Sequence, residues 1–80
     1  MKLKQNIAIS DNGFVFNANT GDTFKLNNIG IDILKYLQNE HTEEELFKYL
    51  LERYDVDRLT LDQHMTDFLS MLRQYQMLED

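Results

Sequence analysis

The sequence has no cysteine, no proline and no tryptophan, and only three glycines in 80 residues. Without cysteine there is no disulfide scaffold, no thiolate zinc site and no cysteine nucleophile. The missing thiols also make the cytoplasm the default compartment. Three isolated glycines, Gly13, Gly21 and Gly30, cannot form a phosphate-cradling loop. No apolar run reaches the length of a membrane span, and none follows the basic start Met1-Lys2-Leu3-Lys4 as a signal peptide requires. The length allows one core, so residues 1–80 read as a single domain held by packing alone.

Positive charge is also scarce. Eight Lys and Arg face 14 Asp and Glu, a formal net charge of −6. Residues 1–30 are close to neutral, and the deficit lies in residues 31–80. Binding to nucleic acid or to an anionic membrane draws on clustered Lys and Arg, so neither is expected. If charge steers a partner, the second half steers a basic one. Four Tyr and five Phe accompany the acids, which sets the chain apart from a disordered acidic tail.

The apolar residues first recur with period two, at Leu3, Ile7 and Ile9, then Phe14 and Phe16, then Phe24 and Leu26. That pattern predicts three short strands. Asn12-Gly13 sits between the first two as a hairpin turn, and the polar run 17–22 lies between the second and third. From residue 27 the period becomes helical. Asn27 or Asn28 caps a first helix whose stripe is Ile29, Ile33, Leu34, Tyr36 and Leu37, with Gly30 inside it. Thr42 and Glu45 form a capping box for a second helix, buried through Leu46, Phe47, Leu50, Leu51 and Tyr54. Thr60 and Gln63 read as a second box, opening a third helix that runs to about Met77. Its apolar positions span an arc of roughly 160°, wider than the ~100° stripe of a helix resting on one layer. One edge of the arc therefore faces either the core or a groove. The predicted architecture is α+β, a three-stranded antiparallel meander followed by three helices.

Catalytic residues are hard to find. His41 reads as a solvated loop residue ahead of a cap, and His64 pairs with Asp67 on a helix surface. Neither belongs to a metal-ligand spacing, and Ser10 and Ser70 have no triad partners nearby. The Glu43-Glu44-Glu45 triplet is explained by capping and the helix dipole. The sequence points to a binding module with no catalytic residues, no metal and no cofactor. An exposed third strand beside a helix with a wide apolar arc would accept an extended peptide as an added strand.

The order of these pieces resembles the family named for pyrroloquinoline quinone biosynthesis protein D. The similarity rests on Leu26-Asn27-Asn28-Ile29-Gly30-Ile31-Asp32-Ile33-Leu34, on Thr42-Glu43-Glu44-Glu45-Leu46, on Tyr54-Asp55-Val56, and on the ending Phe68-Leu69, Leu72, Met77-Leu78. It runs from about residue 5 to residue 78. Ile29 stands where the family usually has Thr or Ser. The family's frequent glycines are missing from 39–41 and 75–76.

The resemblance implies a winged-helix-like, non-catalytic recognition element. Such an element binds the leader of a ribosomally made precursor peptide and delivers it to a modifying enzyme, often a radical S-adenosylmethionine enzyme. It implies that the backbone of Thr23, Phe24, Lys25 and Leu26 pairs with the leader. Met65, Phe68, Leu69, Met71, Leu72 and Tyr75 would line the groove, with Phe68 and Leu72, mid-arc, the expected core positions. The cognate peptide is expected to raise the melting temperature. Two other readings stand beside this one. A winged-helix DNA-binding regulator needs a basic recognition helix, which residues 61–78 do not supply. A small subunit that assembles as a homodimer or with an enzyme would also use an open edge strand.

Overall fold

The computed structural model describes all 80 residues. Strands β1 (Lys2–Leu3), β2 (Ile7–Ile9), β3 (Phe14–Asn17) and β4 (Thr23–Lys25) precede helices α1 (Asn28–Tyr36), α2 (Glu43–Arg53) and α3 (Arg58–Gln74), and β5 (Leu78–Glu79) ends the chain. The meander is present, antiparallel in the order β2-β3-β4. The first predicted strand is split, however. Its opening residues pair with the chain's end as a separate two-stranded sheet, β1 with β5. Leu3 N–H donates to the Leu37 carbonyl at 2.7 Å and Lys4 N–H to the Met77 carbonyl at 2.9 Å, so the two terminal segments are joined to each other and to the end of α1.

The strand alternation is real, but its phase is the reverse of the one aromatic content suggests. Val15 and Asn17 face the core of β3, while Phe14 and Phe16 point out and are each 44% exposed. The inner face of the sheet packs on a core built from Leu34, Leu37, Leu46, Leu50, Leu69, Leu72 and their neighbours.

The helix ends follow local chemistry. Asn27 caps α1 by accepting from Gly30 N–H at 2.9 Å. Thr42 and Glu45 form the reciprocal box at α2. The Thr42 N–H bound to the Glu45 carboxylate holds that group below the usual carboxylate range, and His41 adds to the effect. The second predicted box does not form. Asp57, three residues earlier, caps α3, and Thr60 gives its N–H to Asp57 at 3.1 Å. Asp is as good a cap as Thr, and starting at Arg58 adds a turn to the helix. Asp57→Ala should therefore cost about 1 kcal/mol in urea unfolding. Gln63→Ala, which lies outside any cap, should stay within about 0.5 kcal/mol.

Helix α3 stops at Gln74, short of Met77. Gln76 takes φ 57, Met77 N–H reaches the Leu72 carbonyl at 2.8 Å, and Gln76 N–H reaches the Arg73 carbonyl at 3.0 Å. This is a Schellman ending with glutamine in the left-handed position that glycine fills at lower cost. His41 is also placed differently from expectation. Its ring stacks on Tyr36 at 3.8 Å, and Tyr36 stacks in turn on Tyr49 at 4.1 Å. His41 is half-buried, with its backbone N–H on the Met1 carbonyl.

Candidate functional site

The hydrogen-bond pattern of the hairpin decides which backbone groups are free. Leu26 N–H donates to the Gly13 carbonyl and Asn17 N–H to the Asp22 carbonyl, both at 2.9 Å. In an antiparallel ladder bonded pairs alternate with unbonded ones. With Val15 opposite Phe24, the even positions of β4 therefore bond to β3. Thr23 and Lys25 direct their N–H and C=O groups away from the sheet, at an edge that no other strand occupies. Of the four backbone positions expected to pair with a peptide, these two remain available. Phe24 and Leu26 turn theirs inward, because alternation allows only every second residue to face the edge.

Side-chain contacts link that edge to the helices. Phe24 points under the sheet and meets Tyr75 edge-on, with ring centroids 5.0 Å apart. Farther along, Leu26, Gly30 and Phe68 converge. A Cβ on Gly30 would lie 3.3 Å from Leu26 Cβ and 3.5 Å from Phe68 Cε1. The tightest neighbours of such a Cβ are the capping Asn27 Oδ1 at 3.2 Å and Leu26, whereas the Phe68 distance is ordinary van der Waals contact, so Gly30 eases the turn from β4 into α1 more than the packing of α1 on α3. Beyond it an apolar hollow of about 110 Å³ opens between α1 and α3, lined by Ile29, Gly30, Ile33, Leu61, Met65 and Phe68 among others.

The wide arc of α3 resolves into two stripes. Leu61, Met65, Leu69 and Leu72 are buried in the core. His64, Phe68, Met71 and Tyr75, at spacings of four, three and four, form the adjoining stripe. Phe68 and Met71 are half-buried, and Tyr75 and His64 are exposed. Met65, Leu69 and Leu72 therefore have their surface committed to the core. Phe68 is only half-buried and is not the core residue that its mid-arc position suggested. Leu72 is core as expected.

One residue that supports this groove escaped sequence reasoning. Asn17 was read as part of a turn, yet it is the buried polar side chain of the core. Its Nδ2 donates to the Tyr75 carbonyl at 3.2 Å, and its Oδ1 accepts from Asn6 Nδ2 at 2.8 Å and Asn19 N–H at 3.0 Å. Asn17 thereby ties the end of β3 to the end of α3 at Tyr75. The signal was available: Asn17 lies two residues beyond Val15, on the inward phase of the strand.

Solved structures share this architecture. One, TbiB1 in complex with the TbiA(beta) leader peptide, is 29% identical, with a TM-score of 0.84 over 99% of this chain and 95% of that one. A second, a lasso peptide synthetase B1 complexed with the leader peptide, is 20% identical and agrees in fold, with a TM-score of 0.78 over 99% of this chain and 96% of that one. No curated protein matches the sequence. The family model described as coenzyme PQQ synthesis protein D (PqqD) matches residues 13–78, which takes in β3, β4, all three helices and the start of β5. With that span covered, and with the motifs at Gly30, Thr42 and Phe68 inside it, the chain belongs to the PqqD family.

Proposed function

We propose that this protein is a leader-peptide recognition element. It binds the leader of a ribosomally synthesised precursor as an added strand on β4 and presents the precursor to a separate modifying enzyme, of which radical S-adenosylmethionine enzymes are the type implied by the family resemblance. The observation that carries the reading is the open edge of Thr23 and Lys25 beside the partly exposed stripe of Phe68, Met71 and Tyr75. The edge supplies main-chain hydrogen bonds, which any sequence can make, and the stripe supplies pockets for alternate side chains, which gives selectivity. The complex of TbiB1 with a leader peptide supports the same assignment.

In this reading the protein does no chemistry of its own. Thr23, Lys25, Phe68, Met71 and Tyr75 contact the peptide directly. Phe24 and Leu26 shape the groove wall, and Met65, Leu69 and Leu72 hold α3 in place. The protein acts in the cytoplasm, where precursor peptides are made. Amide hydrogen exchange tests the docking site. The synthetic TbiA(beta) leader and the leaders of precursors encoded beside this gene serve as probes. Saturable binding should slow exchange at the Thr23 and Lys25 amides and raise the melting temperature. Binding that leaves both amides unprotected would place the peptide elsewhere.

A further inference from the structure

We infer that Lys25 selects an acidic side chain on the leader, at the position directly opposite it in the added strand. The inference rests on the strand-addition reading and adds a specificity that neither the fold nor the net charge supplies. Lys25 is one of the two residues whose backbone faces the open edge. A leader residue paired with it lies on the same face of the sheet, with Cβ atoms about 5 Å apart. That face is the outer one, so this leader side chain points away from the apolar groove and meets the lysine.

At rest the ammonium lies back over the hairpin, on the β3 side of its strand, and a rotamer change of the flexible stem carries it to the open edge. Lys25 Nζ donates to the Asn12 carbonyl at 2.6 Å and sits 4.5 Å from the centroid of the Phe14 ring. Like Lys2, Lys4, Lys35 and Arg58 it has no carboxylate within ion-pair distance, whereas Arg53, Lys48 and the N-terminus each have one and Arg73 has two. A polar cleft of about 640 Å³ adjoins it, bounded by Asp11, Lys25, Asp32, Lys35 and Tyr54 among others. In that cleft Asp32 is already taken by the Tyr54 hydroxyl and by Arg53. Asp22, at the far end of β4, accepts from the Thr20 hydroxyl at 2.8 Å. Lys25 and Lys35 thus balance Asp11 and Asp32 around the cleft, so this end of the edge escapes the negative excess of a chain of net charge −6. The acidic helical half can still steer basic flanks of a leader at long range, but contact at β4 favours the opposite sign.

A lysine on an edge strand also discourages pairing between copies. That role affects self-association and leaves peptide choice alone, which makes the two separable. Random peptides displayed on phage are panned in parallel against the wild-type protein, Lys25→Glu and Lys25→Met. Wild-type selections should enrich Asp or Glu next to an apolar groove residue. Lys25→Glu should enrich Lys or Arg at that place, and Lys25→Met, which keeps the stem on Phe14, should show no charge preference. A selected peptide with its Glu changed to Gln should lose about twofold to fivefold in affinity for wild type and nothing for Lys25→Met. Enrichment without an acidic preference, or a preference that survives Lys25→Glu, overturns the role of Lys25 while leaving strand addition intact. Failure of all three proteins to enrich any peptide, with the Thr23 and Lys25 amides unprotected by the leader probes, overturns the docking reading itself.

Discussion

Lys25→Pro is expected to abolish leader binding while leaving the fold in place. Proline removes the N–H of residue 25, and that N–H faces the open edge, so no bond between β3 and β4 is lost. Proline is tolerated on an edge strand in this orientation. The restriction it places on Phe24 favours the extended backbone already present there. The incoming strand fares differently. It loses a donor, its own carbonyl is left unpaired beside the groove, and the pyrrolidine ring occupies the space where it would pair. An unsatisfied buried acceptor costs about 1–3 kcal/mol, roughly fivefold to 150-fold in affinity before the steric term is added. The measurement is a titration with fluorescent leader peptide, beside circular dichroism and thermal melts of the same preparations. Lys25→Met is the control, since it removes the charge and keeps the N–H. Retained affinity in the proline variant would mean that the peptide does not pair with β4.

The second large effect separates the two stripes of α3. Leu72→Ala should lower stability by about 2–5 kcal/mol, because the side chain is fully buried and its removal leaves a cavity. For a domain of this size that is a fall in melting temperature of about 10 °C or more. Since small domains hold only about 5–15 kcal/mol in total, the variant approaches the threshold of folding. Phe68→Ala should cost less, about 1–2 kcal/mol, because part of its ring is already in water. Its effect on binding should be the larger one, about 2 kcal/mol or some thirtyfold, if it forms the groove floor against Leu26 and Gly30. Thermal melts and peptide titrations on both variants give the contrast. Equal losses of stability in the two would return Phe68 to the core.

The three helices and the Thr42–Glu45 box are local in sequence, set by residues three or four apart, and they were legible for that reason; the first cap was narrowed to Asn27 or Asn28, and the fold uses Asn27. The start of α3 was misread by three residues because Asp57 and Thr60 are both competent caps. The choice between them depends on where the preceding chain leaves α2. Pairing of Lys2–Leu3 with Leu78–Glu79 could not be read, since two-residue strands carry no periodicity and their partners are separated by nearly the whole chain. Phe14 and Phe16 announced a strand, but alternation alone does not say which phase is buried. Val15 and Asn17 take the inward phase because the Asn17 amide finds three partners there.

The sequence by itself determined the class of the molecule: a small α+β domain, too short and too poor in catalytic groupings to suggest an enzyme. Its order of Gly30, Thr42-Glu45 and Phe68-Leu69 carried the family resemblance. Only the tertiary structure decided the site. Burial on α3 depends on which elements pack against it, α2 foremost, so the split between Leu72 and Phe68 cannot follow from the helix wheel. The free groups of Thr23 and Lys25 depend on the register with β3, which long-range pairing fixes. The meaning of charge changed for the same reason: a net charge describes the field far from the protein, whereas contact at the edge is governed by one lysine that the fold leaves without a carboxylate.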